Sequence, residues 1–281
     1  MKASKECIPC ILDFCRRTLD YCVKDESLKE RILKRLDEEF VGISLDSSPA
    51  FIADYATRII KKEVGIEDLY SREKGEQNQK ALRIYPQLKG MVDQSDDRLR
   101  TAFLISAIGN VIDLGAHADF NVDEIIRDFK DIDFTKDDYE KFRKELDSSR
   151  TLLFVVDNCG EVVFDRVLLE EIDSVKKIVA VKSKPFINDV TINDIEGLEL
   201  DTIAEVIETG TCNLDFSSSD IRPEFVEVFD GSDIVISKGH ANFEALHGRR
   251  PDIYFLLRAK CDVVAREIGV EKGSFLFCNI P

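Results

Sequence analysis

The sequence predicts an α/β protein: a helical N-terminal part followed by a three-layer α/β/α part. Three observations carry that expectation. Apolar residues in the first half recur at three- and four-residue steps, the period of one buried helical face. After about Ser149 the texture changes to short apolar runs rich in β-branched residues, as in parallel strands covered on both faces. Those runs alternate with helical pattern, which implies right-handed crossovers.

Element by element, Ile8, Ile11, Leu12, Cys15, Leu19 and Cys22 form one stripe between Lys5 and Lys24. Ser48-Pro49 reads as a helix start, a capping hydroxyl followed by proline at the first helical position. Phe51, Ile52, Tyr55, Ile59 and Ile60 form the face behind it. A third helix is expected from about Arg72 to Leu82, bent or stopped before Pro86. A long one should run from Asp97 to Leu114, ended by Gly115. Shorter, charged helices are expected at Asp123–Lys130 and Asp137–Leu146. Strands are expected at Leu152–Val156, Lys177–Val181, Asp233–Ile236, Asp252–Leu257 and Ser274–Phe277. The expected division is a helical domain over 1–100 and a Rossmann-like α/β domain over 101–281, with a helical connector to about 150. No linker-like segment separates them, so tight packing is expected.

The bulk numbers narrow the function. The 281 residues carry 39 basic and 55 acidic side chains, a formal charge of −16. Such a field repels phosphate backbones and concentrates divalent cations, so nucleic-acid partners are not expected. No apolar run approaches the roughly 20 residues that span a bilayer, and the cysteines, acids and bases of the first 25 residues lead to the expectation of no signal peptide. A cytoplasmic protein without membrane partners is expected; its oligomeric state is not legible. Eight cysteines in a chain of this length are expected as thiols and not as a disulfide scaffold.

In open α/β sheets ligands bind beyond the carboxyl ends of the strands, and three segments place polar residues there. Asp157-Asn158-Cys159-Gly160-Glu161 follows the first strand directly. Asn188-Asp189-Val190-Thr191 lies downstream of the second. Ser237-Lys238-Gly239-His240-Ala241-Asn242 follows Asp233–Ile236. An acid beside an amide is a hard oxygen-ligand set, suited to Mg²⁺ or Mn²⁺ and not to thiophilic zinc. Gly160 permits a tight turn into a helix whose free N–H groups can hold a phosphate oxygen. The alternative is that Asp157 or Asn158 simply caps that helix. Asp189 would add a third oxygen ligand, and Lys238 a point charge toward phosphate; Asn242 and Glu244 read equally as a helix start. His240 is placed to touch substrate. Asn110 and Asp113, three apart on one helical face, either anchor the two parts or border the pocket. Asp68, Lys74 and Asn78 read as a solvated helix start. The motifs of dinucleotide-binding folds, P-loop NTPases, aspartate-nucleophile phosphatases and serine hydrolases are absent.

Together these segments resemble the damage-control phosphatase family. The resemblance rests on D157-N-C-G-E161 with Asp165, N188-D-V-T191, S237-K-G-H-A-N-F-E244, D68-L-Y70 with Lys74 and Asn78, and G109-N-V-I-D113. Cys7-Ile-Pro-Cys10 resembles the CxxC-bearing archaeal and bacterial subfamily I. The resemblance implies a mixed, mainly parallel sheet. It also implies a divalent metal (Mn²⁺, Ni²⁺ or Co²⁺) held by Asp157, Asn158 and Asp189. The implied substrates are small phosphorylated metabolites such as sugar phosphates or damaged nucleotides. On that reading Asp157, Asn158, Asp189 and Lys238 are catalytic, and Gly160, Glu161, Asn110, Asp113 and Asn242 meet substrate. Lys238 and the N–H groups after Asn158 would stabilise the equatorial oxygens of phosphoryl transfer. Two other readings stay open at this stage: a binding protein without turnover, and a zinc or thiol module built on Cys7 and Cys10 as a second metal or structural motif.

Overall fold

The computed structural model describes residues 1–109 and 132–280. Five helices open the chain: α1 (Cys7–Cys22), α2 (Glu26–Phe40), α3 (Pro49–Val64), α4 (Ser71–Asp93) and α5 (Arg98–Gly109). The sequence signals account for their starts. Asp25 accepts from the N–H groups of Ser27 and Leu28 to cap α2, and Ser48 accepts from Phe51 N–H with Pro49 at the first position of α3. The buried stripes of α1 to α3 meet in one apolar cluster that includes Ile11, Cys15, Leu19, Ile32, Leu36, Ile52, Ala56 and Ile60.

Helix α4 does not stop before Pro86 but runs through it to Asp93. A proline forfeits one backbone hydrogen bond and crowds the preceding turn. Here Ile84, Leu88 and Val92, beyond and before the proline, are buried in the same core as Leu168 and Leu169. Tertiary burial outweighs the local penalty. The Asp97–Leu114 helix is seen as α5 as far as Gly109; Asn110, Asp113, His117 and the Asp123–Lys130 segment lie outside the described residues.

The remainder alternates strand and helix: β1 (Phe134–Asp137), α6 (Tyr139–Leu146), β2 (Thr151–Val155), α7 (Glu161–Glu170), β3 (Lys176–Val181), β4 (Glu205–Glu208), α8 (Pro223–Gly231), β5 (Ile234–Lys238), α9 (His240–Leu246), β6 (Ile253–Arg258), α10 (Asp262–Ile268) and β7 (Phe275–Asn279). They form one sheet in the order β1-β7-β6-β5-β2-β3-β4. Strands β6, β5, β2, β3 and β4 run parallel, while β7 is antiparallel to β6 and β1 pairs with β7. The sheet is therefore mixed and mainly parallel. Alternate residues of the strands enter different cores. Phe154, Val156, Val179 and Ile236 pack with α4 to α7, while Val155, Ala180, Val235 and Phe255 pack with Phe225, Phe243 and Val264 of α8, α9 and α10. That is the expected three-layer, Rossmann-like arrangement. Strand order reverses between β2 and β5, so the ends of these neighbours open a crevice at a topological switch point. Among the described residues, no helix is long and apolar enough to cross a membrane.

Candidate active site

The crevice collects the three predicted segments. Asp157 and Asn158 leave the end of β2, and Lys238 and Gly239 leave the end of β5. The stretch after β3 folds back onto them: Val190 N–H donates to Asp157 O (2.9 Å), Cys159 N–H donates to Asn188 O (2.8 Å), and Asn158 and Asp189 form an antiparallel bridge. Asp189 is thereby brought beside Asp157, although 32 positions separate them in the chain. Gly239 fits because it has no side chain: a Cβ there would lie 1.9 Å from Asp157 Oδ2, and its φ of +76° disfavours any other residue.

Neither Asp157 nor Asn158 caps α7 with its side chain. Asn158 Nδ2 donates instead to Asp157 Oδ2 (2.8 Å) and Glu161 Oε2 (3.0 Å). This orientation holds two acids together and leaves the amide oxygen without a donor among the described residues. The N–H groups expected to receive phosphate are partly committed. Gly160 N–H donates to Asn78 Oδ1 (2.6 Å), and that of Cys159 to Asn188.

Lys238 reaches the end of β5 as expected, but its ammonium is wholly buried and committed to partners within the protein. It donates to Ser106 O and Oγ (2.7 Å each) and to Asp165 Oδ1 (2.5 Å), and lies 3.0 Å from Glu161 Oε1. Burial alone would push its pKa down; Asp165 and Glu161 more than reverse that and hold it above the ordinary lysine value. Asn242, expected against substrate, is also wholly buried. Its Nδ2 donates to Val156 O and Lys238 O, and its Oδ1 accepts from Lys182 Nζ (2.6 Å). It ties β2 to β5 and orients a second lysine, with its hydrogen-bonding groups already used.

Three further residues are parts of this framework, of which Lys74 and Asn78 are expected from the sequence in a solvated helix start. Lys182 follows β3, where a lysine is usually solvated, yet it is buried with Nζ 3.8 Å from Asp189 Oδ2. Lys74 is fully buried between Asp68 (2.8 Å) and Asp194 (2.6 Å). Asn78 clamps Gly160 and donates to Asp194 O (3.0 Å). The Asp68–Asn78 stretch is thus not a solvated helix start; α4 carries it underneath the β2–α7 turn. The periodic signal that would find it is Lys74 and Asn78 on one helical face, four apart.

His240 is fixed by the main chain. Its Nε2 accepts from Lys260 N–H (2.8 Å), it is also hydrogen-bonded to the backbone of Arg258, and burial lowers its pKa to about 4. Cys7 is buried beside Ser4 while Cys10 is exposed, and all eight cysteines are free thiols. Among the described residues, no three His, Cys, Asp or Glu side chains are grouped so as to hold a metal ion.

The electrostatics define what the crevice lacks. Burial, then Glu161 and Asp189, push the Asp157 carboxyl well above its ordinary range. Burial likewise raises Asp189 to about 7 and Asp165 to about 6. Asp189 Oδ2 is buried without a hydrogen-bond partner. The carboxyls of Asp157, Glu161, Asp165 and Asp189 face the buried ammonium groups of Lys182 and Lys238, with the exposed Lys260 acting on Asp157 from outside. A divalent cation balances such a surplus of negative charge, and an orphaned buried carboxylate oxygen is where one fits. Asp157, Asn158 and Asp189 supply oxygen donors only, as Mg²⁺ and Mn²⁺ prefer.

Comparison with known proteins agrees with the fold. The family model described as the Damage-control phosphatase ARMT1-like domain matches residues 3–276. The chain belongs to this family. It is 33% identical over 98% of its length to a damage-control phosphatase of Archaeoglobus fulgidus, covering 98% of that protein. It is 30% identical to a damage-control phosphatase of Pyrococcus horikoshii, over 98% of this chain and 97% of the other. It is 32% identical to an uncharacterized protein of Methanocaldococcus jannaschii, over 98% and 94% of the two chains. The crystal structure of a DUF89 family protein from Pyrococcus horikoshii superposes with a TM-score of 0.91 at 27% identity, covering 100% of both chains. At the level of the family, membership carries a damage-control phosphatase-like enzymatic role.

Proposed function

We propose that the chain is a metal-dependent phosphatase that hydrolyses phosphomonoesters of small metabolites at the β2–β5 crevice. The observation that carries this reading is the convergence of Asp157, Asn158 and Asp189, with the buried Asp189 Oδ2 left without a hydrogen bond and only Lys182 Nζ, 3.8 Å away, to offset its charge. These three residues would hold the metal, Mn²⁺, Ni²⁺, Co²⁺ or Mg²⁺. Bound there, such an ion supplies Lewis-acid polarisation of a phosphoryl oxygen and lowers the pKa of an attacking water.

The protein's own groups do the rest. Asn158 holds the Asp157 and Glu161 carboxylates in place through its amide hydrogens. Lys182, kept beside Asp189 by Asn242, offsets charge as the phosphoryl group is transferred. Lys260 is exposed, and its charge favours the ionised form of Asp157, so it can meet an arriving phosphate from the solvent side. Lys238 acts through Glu161 and Asp165 as a positioning residue, in place of the direct phosphate contact expected of it. A role for Asp157 as nucleophile is disfavoured, since a liganding carboxylate is less free to attack.

The test is phosphate release from sugar phosphates, nucleotides and an aryl phosphate, using chelated protein with each metal added back. Activity restored by metal and removed by Asp157→Ala is expected. Equal activity in the folded Asp157→Ala protein would end the assignment, and no release from any ester would favour a binding protein.

A further inference from the structure

A second cavity, of about 470 Å³, opens between α1, α3 and the two loops that deliver the crevice residues. Ile11, Ala50, Ala53, Phe186, Ile187 and Val263 give it an apolar wall, in a chain where 33% of residues are charged. Its size falls in the range of small-molecule sites, and isolated apolar hollows of this kind mark ligand contact.

The cavity is continuous in chain with the proposed phosphoryl site on both sides. Phe186 and Ile187 lead directly into Asp189, and Phe186 O accepts from Asp189 N–H (3.0 Å). On the other side His240 and Ala241 follow Gly239, which lies against the Asp157 carboxylate. Ile187 has a φ of +47°, a conformation that a β-branched residue adopts only under strain. Glycine or asparagine would sit there with less strain, so an isoleucine side chain is being kept in the cavity wall against a local penalty. The loop is pinned before the strained residue by Lys61 Nζ, which donates to Pro185 O (2.6 Å).

We propose that this cavity receives the leaving group of the phosphate ester and selects leaving groups with an apolar, ring-sized face over polyols. The inference rests on the phosphatase reading above and gives it a substrate class. The polar lining is largely engaged: Glu244, the inner acid of the wall, already accepts from the Ala50 backbone. Both nitrogens of His240 are engaged with main chain. The exposed charged residues on the wall are paired, Glu6 with Arg266 (2.7 Å) and Asp262 with Lys272 (3.4 Å). Hydroxyl groups entering among Ile11, Ala53, Phe186 and Ile187 would lose water without finding partners.

The experiment compares 1-naphthyl phosphate with glycerol 3-phosphate as substrates of the metal-loaded protein, in wild type and in Ala53→Trp, with Ala53→Leu as the smaller filler should the first not fold. Filling the cavity should lower kcat/KM for the naphthyl ester about tenfold, mainly through KM, because one ring's burial is worth at least that factor. Glycerol 3-phosphate should change less than about twofold. Equal losses on both esters, or no loss on either, overturn the proposal. A second readout needs no turnover: Cys10, the exposed thiol on the wall, should be alkylated more slowly in the presence of 1-naphthol, and the protection should vanish in the filled variant. Absence of protection overturns the subsite. Protection without hydrolysis of any ester keeps the subsite and removes the phosphatase reading.

Discussion

Replacing Lys238 by methionine removes the cation from a sealed network and tests how that network is held. The ammonium makes three hydrogen bonds, to Ser106 O, Ser106 Oγ and Asp165 Oδ1, and lies 3.0 Å from Glu161. Methionine matches the length of the chain but leaves the Asp165 carboxylate without its buried counterion. Breaking one side of a buried ion pair costs about 3–5 kcal/mol. At about 2 °C per kcal/mol for a protein of this size, the melting temperature should fall by about 6–10 °C at pH 7. Calorimetric unfolding of chelated protein measures it. The deficit should shrink toward pH 5, because Asp165, about 6 with Lys238 in place and higher once that lysine is gone, is then protonated in both proteins and needs no counterion. Asp165→Asn in the same chain should recover part of the loss, since the two residues are coupled. A fall below about 2 °C, or one unchanged between pH 5 and 7, would refute the buried-pair reasoning.

Three further outcomes follow from the same geometry. Gly239→Ala places a methyl 1.9 Å from Asp157 Oδ2 and should reduce turnover at least about a hundredfold, as misplaced catalytic groups do; steady-state kinetics near wild type would contradict the close approach. Asn78→Ala leaves the Gly160 N–H and the Asp194 carbonyl without their partner and should cost about 1–3 kcal/mol, read from denaturant unfolding. For pH, Asp165 at about 6 and Asp189 at about 7 both stand above their unfolded values in the metal-free protein. The folded state then binds more protons than the unfolded one, so stability contributed below about pH 4 is lost as pH rises through 6 and 7. Melting of chelated protein should therefore decline from pH 5 to 8, and added Mn²⁺ should raise it more at pH 8 than at pH 5; a rise in the chelated protein would contradict the signs.

The central strands were legible because buried parallel strands read as continuous apolar runs, as Leu152–Val156 and Lys177–Val181 do. The edge elements were not. In β1, Thr135, Lys136 and Asp137 are exposed, and in β4 Glu205 is exposed, so neither carries an apolar signature. Helix α2 had a signal, Asp25 before Ile32, Leu36 and Phe40, that the reading of the first half did not separate out. Helix α4 misled because proline punctuation is local, whereas the burial of Ile84, Leu88 and Val92 is tertiary. In the crevice, the acids and Asn158 stood out by their place after strands. Lys182 did not, and Lys74 entered only through the family resemblance and its spacing to Asn78, since a lone lysine enclosed by carboxylates reads like a solvated one. Lys238 was found but its partners were not, because Ser106 and Asp165 reach it from α5 and α7.

The account stands most directly on whether Asp157, Asn158 and Asp189 hold one divalent cation. Titrating chelated protein with Mn²⁺, followed by the loss of the free-ion paramagnetic resonance signal at pH 8, measures this. The account predicts one ion per chain in the wild type, with affinity lowered at least about tenfold in Asp189→Asn, the loss of a charged ligand being worth more than 1.4 kcal/mol. Undiminished binding by folded Asp189→Asn, or no binding by the wild type, would contradict it.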